Sequence, residues 1–203
     1  MTQPLTTASD WDQRYGAAAL IWSSGPNQFV EQEITGLRPG HALDLGAGEG
    51  RNALWLAEHG WRVTAVDFSR VGLDKARTIA ASRGVTVDWV LADLFEHWPS
   101  AHTYDLVLVA YLQLPEPQLA QVLARAANAL VPGGTMLVVG HDRTNLDDGV
   151  GGPRDPAVLH TPDEITAALP DLRVHKAERV RRPVNADGET RYAVDTLVLA
   201  TAP

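Results

Sequence analysis

At 203 residues, with 45% hydrophobic and 21% charged side chains, the chain has the length of one domain and enough apolar material for a substantial core. A formal charge of −8 opposes a nucleic-acid partner overall, and zero cysteines exclude disulfides, thiolate nucleophiles and thiolate metal sites. No run approaches the ~18–20 apolar residues that span a bilayer. The polar stretch Met1 to Asp10 lacks the order of a secretory signal, so a cytoplasmic protein without membrane contact is expected.

In chain order, residues 1–40 read as a helical extension, with Trp11 and Tyr15 one turn apart and Trp22 ahead of a Ser23-Ser24-Gly25-Pro26-Asn27 turn. Residues 41–203 read as the main body of a single structural domain. His41 to Leu45 is a strand, followed by a glycine loop and a helix that Gly60 ends. Arg62 to Val66 is the second strand; Ser69 caps a helix with Leu73, Ala76, Ile79 and Ala80 at helical spacing. Val85 to Leu91 is the third strand, and the apolar run of Tyr104 to Ala110 suits a central parallel one. Leu119, Val122, Leu123, Ala126 and Leu130 mark a helix face, closed by Pro132-Gly133-Gly134 before a fifth strand, Thr135 to Gly140. Thr161-Pro162-Asp163-Glu164 has capping-box spacing with proline in the first turn. Leu172 to Arg181 and Arg191 to Ala200 are the last strands, with Asn185 to Gly188 predicting a hairpin. These elements predict an α/β fold: a doubly wound, mainly parallel seven-stranded sheet with a C-terminal antiparallel hairpin and right-handed crossovers.

The loop after the first strand carries the chemistry. Gly46, Gly48 and Gly50 give G-x-G-x-G, one residue tighter than the G-x-G-x-x-G of a dinucleotide loop. Asp44 stands two positions before the first glycine and Glu49 lies inside the loop. Both carboxylates disfavour a pyrophosphate and welcome a cation, and S-adenosylmethionine, with its ammonium and sulfonium groups, meets that requirement. Asp67 ends the second strand, where its two oxygens can accept from ribose hydroxyls.

Leu43-Asp44-Leu45-Gly46-Ala47-Gly48-Glu49-Gly50-Arg51-Asn52 resembles motif I of the class I S-adenosylmethionine-dependent methyltransferases, and Val63-Thr64-Ala65-Val66-Asp67-Phe68-Ser69 resembles motif II. Gly50-Arg51-Asn52 with the following helix, and Trp11-Asp12-Gln13-Arg14-Tyr15, are similar to a bacterial subgroup that includes tellurite-resistance and thiopurine-type enzymes. The resemblance implies a Rossmann-like methyltransferase fold, S-adenosylmethionine as methyl donor, and an N-terminal extension folded over the site.

The expected cofactor contacts are Asp44, Gly46, Ala47, Gly48, Gly50, Asp67, Phe68 and Ser69. At later strand ends Ala92, Asp93 and Leu94 would meet the adenine, and Ala110 and Leu112 the methionine part. Asp93 reads equally as a turn former; Arg51 and Asn52 either touch the cofactor or are ordinary first-turn residues. The acceptor site is expected from Tyr15, Trp22, Tyr111 and Asp142, with His141 as candidate proton acceptor or as a satisfied strand-end residue. Tyr15 and Trp22 would line the pocket or pack the extension. The loop Thr144 to His160 is a lid or a surface loop, and Arg179, Arg181 and Arg182 read as a solvated face. No metal motif is present. The expected activity is methyl transfer to a small-molecule nucleophile such as a thiol, chalcogen species or phenol. The alternatives are a catalytically silent cofactor-binding protein and a nicotinamide-dinucleotide oxidoreductase; oligomeric state is open.

Overall fold

The computed structural model describes residues 7–21, 23–96, 99–186 and 188–203. Seven strands form one sheet: β1 His41–Leu45, β2 Arg62–Asp67, β3 Asp88–Leu91, β4 Tyr104–Ala110, β5 Leu130–His141, β6 Arg173–Ala186 and β7 Glu189–Thr201. Their order is β3-β2-β1-β4-β5-β7-β6. The first five run parallel, whereas β7 pairs antiparallel with both β5 and β6. The helices are α1 Ala8–Gly16, α2 Gln28–Ile34, α3 Arg51–Glu58, α4 Arg70–Arg83, α5 Glu116–Ala129, α6 Asn145–Asp148 and α7 Pro162–Ala167. None of the described helices is long and apolar enough to cross a membrane.

The unbroken apolar run in β4 follows from burial on both sheet faces. Val107 and Val109 pack on one face with Leu119, Val122, Leu123 and Ala126 of α5 and with Ile165 of α7. Leu106 and Leu108 pack on the other with Phe29, Val30 and Ile34 of α2 and with Trp55 and Leu56 of α3. Strand order reverses between β1 and β4, which opens a crevice at their carboxyl ends, the place where open α/β sheets bind ligands.

Several boundaries differ from those expected. β3 begins at Asp88 rather than Val85, because the exit from α4 takes up the preceding residues. Gly84 is left-handed, at φ +66°, and the Val85 amide donates back to the Ala80 carbonyl at 3.1 Å. β5 starts at Leu130, with a register shift opposite Tyr104 and Leu106 that absorbs the Pro132-Gly133-Gly134 turn. β6 and β7 extend to Ala186 and Glu189, past the end of β5, so the hairpin overhangs the carboxyl edge of the sheet.

The N-terminal segment is tied to that edge. Asp12 Oδ1 accepts from Ser69 Oγ at 2.5 Å and from the Val71 amide at 3.1 Å. Lys75 of α4 donates to the carbonyls of Tyr15 and Ala18 and to Glu49. The Ile21 amide donates to both Glu49 oxygens, at 3.0 and 3.2 Å.

Candidate active site

Gly46, Gly48 and Gly50 all have positive φ, at 75°, 56° and 78°. That left-handed run turns β1 into α3 without a steric penalty. The freed amides do not point at a ligand. Those of Gly46 and Ala47 donate to the Val66 carbonyl, that of Gly50 to Ala47, and that of Gly48 to Asp67 Oδ2 at 2.8 Å. A loop whose amides are consumed internally is a poor phosphate cradle.

Asp44 lies beneath this loop, 1% exposed, and its Oδ2 is buried without a hydrogen-bond partner. Burial, and then the nearby Asp67 charge, push its pKa up to about 7, against the opposing pull of Arg51. A buried carboxylate oxygen without a partner costs about 1–3 kcal/mol or more until a donor or a cation reaches it. Asp67 ends β2 with Oδ2 on the Gly48 amide and Oδ1 on the Ser69 amide at 2.8 Å. Burial raises its pKa despite those bonds. These bonds leave the carboxylate acceptor capacity over, the requirement for pairing with a diol.

The remaining expected residues fall into different roles. A side-chain carbon at Gly50 would lie 2.6 Å from the Trp89 ring and 2.9 Å from Ala76, so its glycine serves helix packing. One at Gly48 would lie 2.5 Å from the Tyr15 hydroxyl, which places the buried Tyr15 directly over the loop. Asn52 Oδ1 accepts from the Asn27 amide at 2.9 Å and holds the start of α2. Ser69 caps α4 through the Gly72 amide at 3.1 Å. Exposed Asp93 makes an Asx turn with the Phe95 amide at 2.8 Å, while half-buried Phe68, Ala92 and Leu94 flank the carboxyl ends of β2 and β3. Glu49 is engaged by Lys75 and Ile21, so its charge is spent inside the protein rather than offered to a ligand.

Beyond β4 and β5 a narrow, partly open cleft is lined by Val109, Tyr111, Leu112, His141, His160 and Thr196 among others. Tyr111 follows Ala110 at the end of β4 in the left-handed region, at φ +57°, a conformation that costs a non-glycine residue about 1–2 kcal/mol. Its hydroxyl donates to Asp195 Oδ2 at 2.6 Å and accepts from Asn27 Nδ2 at 3.0 Å and Arg182 Nε at 2.9 Å. Burial, then the Asp195 charge, push the Tyr111 pKa well above the phenol range, so it stays protonated. Arg182 Nε also reaches Asp195 Oδ2, at 2.7 Å. The guanidinium carbons of Arg51 and Arg182 lie 5.7 and 5.4 Å from the centroid of the Tyr111 ring. Burial opposes ionisation of Asp195, but the neighbouring His141, Arg182 and Tyr111 outweigh it and hold its pKa below the usual range.

Two expectations are corrected here. Asp142 does not line the cleft: it is fully buried, with Oδ1 accepting from Thr144 and Arg179 and Oδ2 from Thr196 Oγ1 at 2.8 Å. Those bonds fix the start of the following loop, and although burial opposes it they lower its pKa. The three arginines are not one solvated face, since Arg179 pairs with Asp142 and Arg182 with Asp195. Trp22 lies outside the described residues. Asp195, Arg182 and His160 were missed; an aspartate within the apolar run Val194 to Leu199 was the available signal.

The loop after β5 is pinned to the overhanging hairpin. The Asp142 amide donates to the Val194 carbonyl, that of Val150 to Tyr192, and that of Val194 to Asn145 Oδ1 at 2.7 Å. Gly152, at φ +74°, lies against the His141 imidazole: a side-chain carbon there would sit 2.9 Å from three ring atoms. Gly152→Ala is therefore expected to displace this loop, cost about 1–2 kcal/mol from the positive φ alone, and lower turnover while leaving S-adenosylhomocysteine affinity within twofold. Urea denaturation and calorimetric titration check it.

Residues 42–134 match a family described as a methyltransferase domain. A ubiquinone biosynthesis O-methyltransferase of Coxiella burnetii is 29% identical over 133 residues, 64% of this chain and 56% of that protein. The chain thus spans little more than half the length of the curated relatives it matches. Among solved structures, the N-methyltransferase NodS of Bradyrhizobium japonicum with S-adenosyl-L-homocysteine aligns at a TM-score of 0.75 and 19% identity, covering 98% of this chain and 100% of that one. TehB of Haemophilus influenzae aligns at 0.74 and 18%, covering 97% and 67%. At those identities the structures speak for the fold, and the matched sequence speaks for the domain. Residues 42–134 are thus similar to a methyltransferase domain, and the chain as a whole has the fold of the solved methyltransferase structures.

Proposed function

We propose that this chain transfers a methyl group from S-adenosylmethionine to a small-molecule nucleophile. The observation that carries the reading is the buried, unpartnered Asp44 oxygen beneath a glycine loop four of whose amides are already taken. That combination favours a cation over a dinucleotide phosphate. Asp44 would face the cationic end of the donor, Asp67 the ribose, Phe68 and the Ala92–Leu94 segment the adenine, and Arg51 the carboxylate. When bound, the donor supplies an electrophilic methyl carbon on a sulfonium.

The chain's own residues then have to orient the acceptor and exclude water. Tyr111 and His141 stand at one end of the cleft, with Val109, Leu119, Val138 and Val158 as apolar walls suited to a hydrophobic small molecule. The segment of residues 7–21, with Tyr15 over Gly48, covers the loop from one side, and the residues after His141 serve as a lid from the other. The curated relatives named for oxygen methylation support an acceptor of that general kind. A cytoplasmic location goes with this reading.

Calorimetric titration tests it: S-adenosylhomocysteine should bind and a nicotinamide dinucleotide should not, and the reverse pattern would falsify the proposal. Saturated protein that methylates none of a broad panel of thiols, phenols, amines and chalcogen oxyanions would favour silent binding instead. His141→Ala is expected to slow turnover of a protic acceptor by about 10²–10⁴-fold, the usual contribution of a positioned base, with donor affinity unchanged. Steady-state kinetics beside the titration checks it; unaltered turnover would reduce His141 to a structural residue.

A further inference from the structure

The Asp195 cluster converges on the His141 imidazole, whose ring packs against both Tyr111 and the loop. His141 and Asp195 are register partners on neighbouring strands β5 and β7, so their side chains leave the sheet on the same face. His141 Nδ1 lies 3.1 Å from Asp195 Oδ1. Both atoms are buried and neither has an aligned hydrogen-bond partner, each other included, while Oδ2 of the same carboxylate is taken by Tyr111 and Arg182. At that separation a proton on Nδ1 faces the carboxylate, and a small rotation of the ring would align it; a proton on Nε2 instead would leave a nitrogen lone pair facing a carboxylate oxygen. The ring is held from two further sides, by Tyr111 edge-on at a centroid distance of 5.0 Å and by the Gly152 backbone.

We propose that Asp195 is a positioning residue that keeps the His141 proton on Nδ1, so that Nε2 serves as base toward the cleft, and that the acceptor is a protic nucleophile arriving with its proton still on. The inference rests on the methyl-transfer reading and narrows it to phenols, alcohols and un-ionised thiols. An acceptor that is already an anion needs no base, and a cluster of this kind would have no task with one. In the reaction the acceptor gives its proton to Nε2 and its electron pair to the methyl carbon, whose bond to sulfur breaks with both electrons remaining on sulfur. The products are methylated acceptor, neutral sulfide and imidazolium, and total charge is conserved.

The charged and titratable groups around His141 agree with this assignment. Asp195 on β7 stabilises the imidazolium. Arg182 on β6 and the Tyr111 hydroxyl beyond β4 bind the far oxygen of Asp195 rather than His141 itself. His160 has Nε2 2.8 Å from the Leu114 carbonyl, which fixes its own proton on that nitrogen.

The test is the imidazole spectrum of protein labelled with nitrogen-15 at histidine, with His141→Gln used for assignment and S-adenosylhomocysteine bound. Wild type should show His141 neutral as the Nδ1–H tautomer, and Asp195→Asn should shift it toward Nε2–H. Wild type in the Nε2–H form overturns the proposal even if the Asp195 variant does not fold. In turnover assays Asp195→Asn should lower kcat for 4-methylphenol about 10²–10⁴-fold and change kcat for thiophenol, an anion in mildly alkaline buffer, less than threefold. Equal losses for both acceptors, or wild-type transfer confined to ionised ones, overturn the assignment. Failure of wild type to bind S-adenosylhomocysteine would instead remove the methyl-transfer reading, and this inference with it.

Discussion

Asp67→Ala is expected to weaken S-adenosylhomocysteine binding by roughly 1.5–3 kcal/mol, between about tenfold and more than a hundredfold, the range for hydrogen bonds to a charged group. The structure adds a second loss. Asp67 Oδ2 and Oδ1 accept from the Gly48 and Ser69 amides, each at 2.8 Å, and so hold together the loop after β1 and the entry to α4. Alanine strands both buried amides at about 1–3 kcal/mol each, so stability should fall by about 2–6 kcal/mol as well. Urea denaturation separates the two, since affinity is measured only where the variant remains folded. A stable Asp67→Ala protein with wild-type affinity would remove Asp67 from the binding site and from the loop's support together.

The second large effect is a pH dependence set by Asp44. Its pKa in the folded protein is about 7 against 3.8 ordinarily, with burial the leading cause. Between those values the folded state holds a proton that the unfolded state has released. Stability from this group is therefore fully present below 3.8 and lost as pH rises toward about 7, at up to about 1.4 kcal/mol per pH unit. Asp67, raised in the same direction, adds to the slope. Ligand binding runs the other way. An ammonium group beside Asp44 needs the carboxylate, so affinity for S-adenosylhomocysteine should drop up to about tenfold for each unit below pH 7, with proton release on binding. Asp44→Asn should bind more weakly above that pH and lose this dependence. Titrations in buffers of different ionisation enthalpy measure the proton directly; a flat affinity from pH 5 to 8 would sink the assignment of Asp44 to the cation.

Some of the site was legible locally because its residues are adjacent in the chain. The tight glycine spacing, Asp44 two positions ahead and Asp67 at the next strand's end are all determined by one β-α-β unit. The capping boxes at Thr7 and Thr161 and the Ser69 cap are equally local, although only the last two were expected from sequence. Glu49 shows where local reading stops. Inside the loop it resembles a second negative charge for a ligand, but Lys75 of α4 and the Ile21 amide, distant in sequence, neutralise it. Asp142 was misjudged for the same reason, since its partners Arg179 and Thr196 come from other elements.

By itself the sequence determined the order of elements, the two-sided burial of β4 and the electrostatic sign of the donor site, because periodicity and the order of charges along one turn encode them. Only the tertiary structure decided what surrounds His141. Antiparallel pairing of β7 with β5 sets Asp195 opposite His141, and the overhang of β6 brings Arg182 onto Tyr111. The register between strands more than fifty residues apart depends on which faces bury together, a global choice of the sheet that no local window of sequence contains.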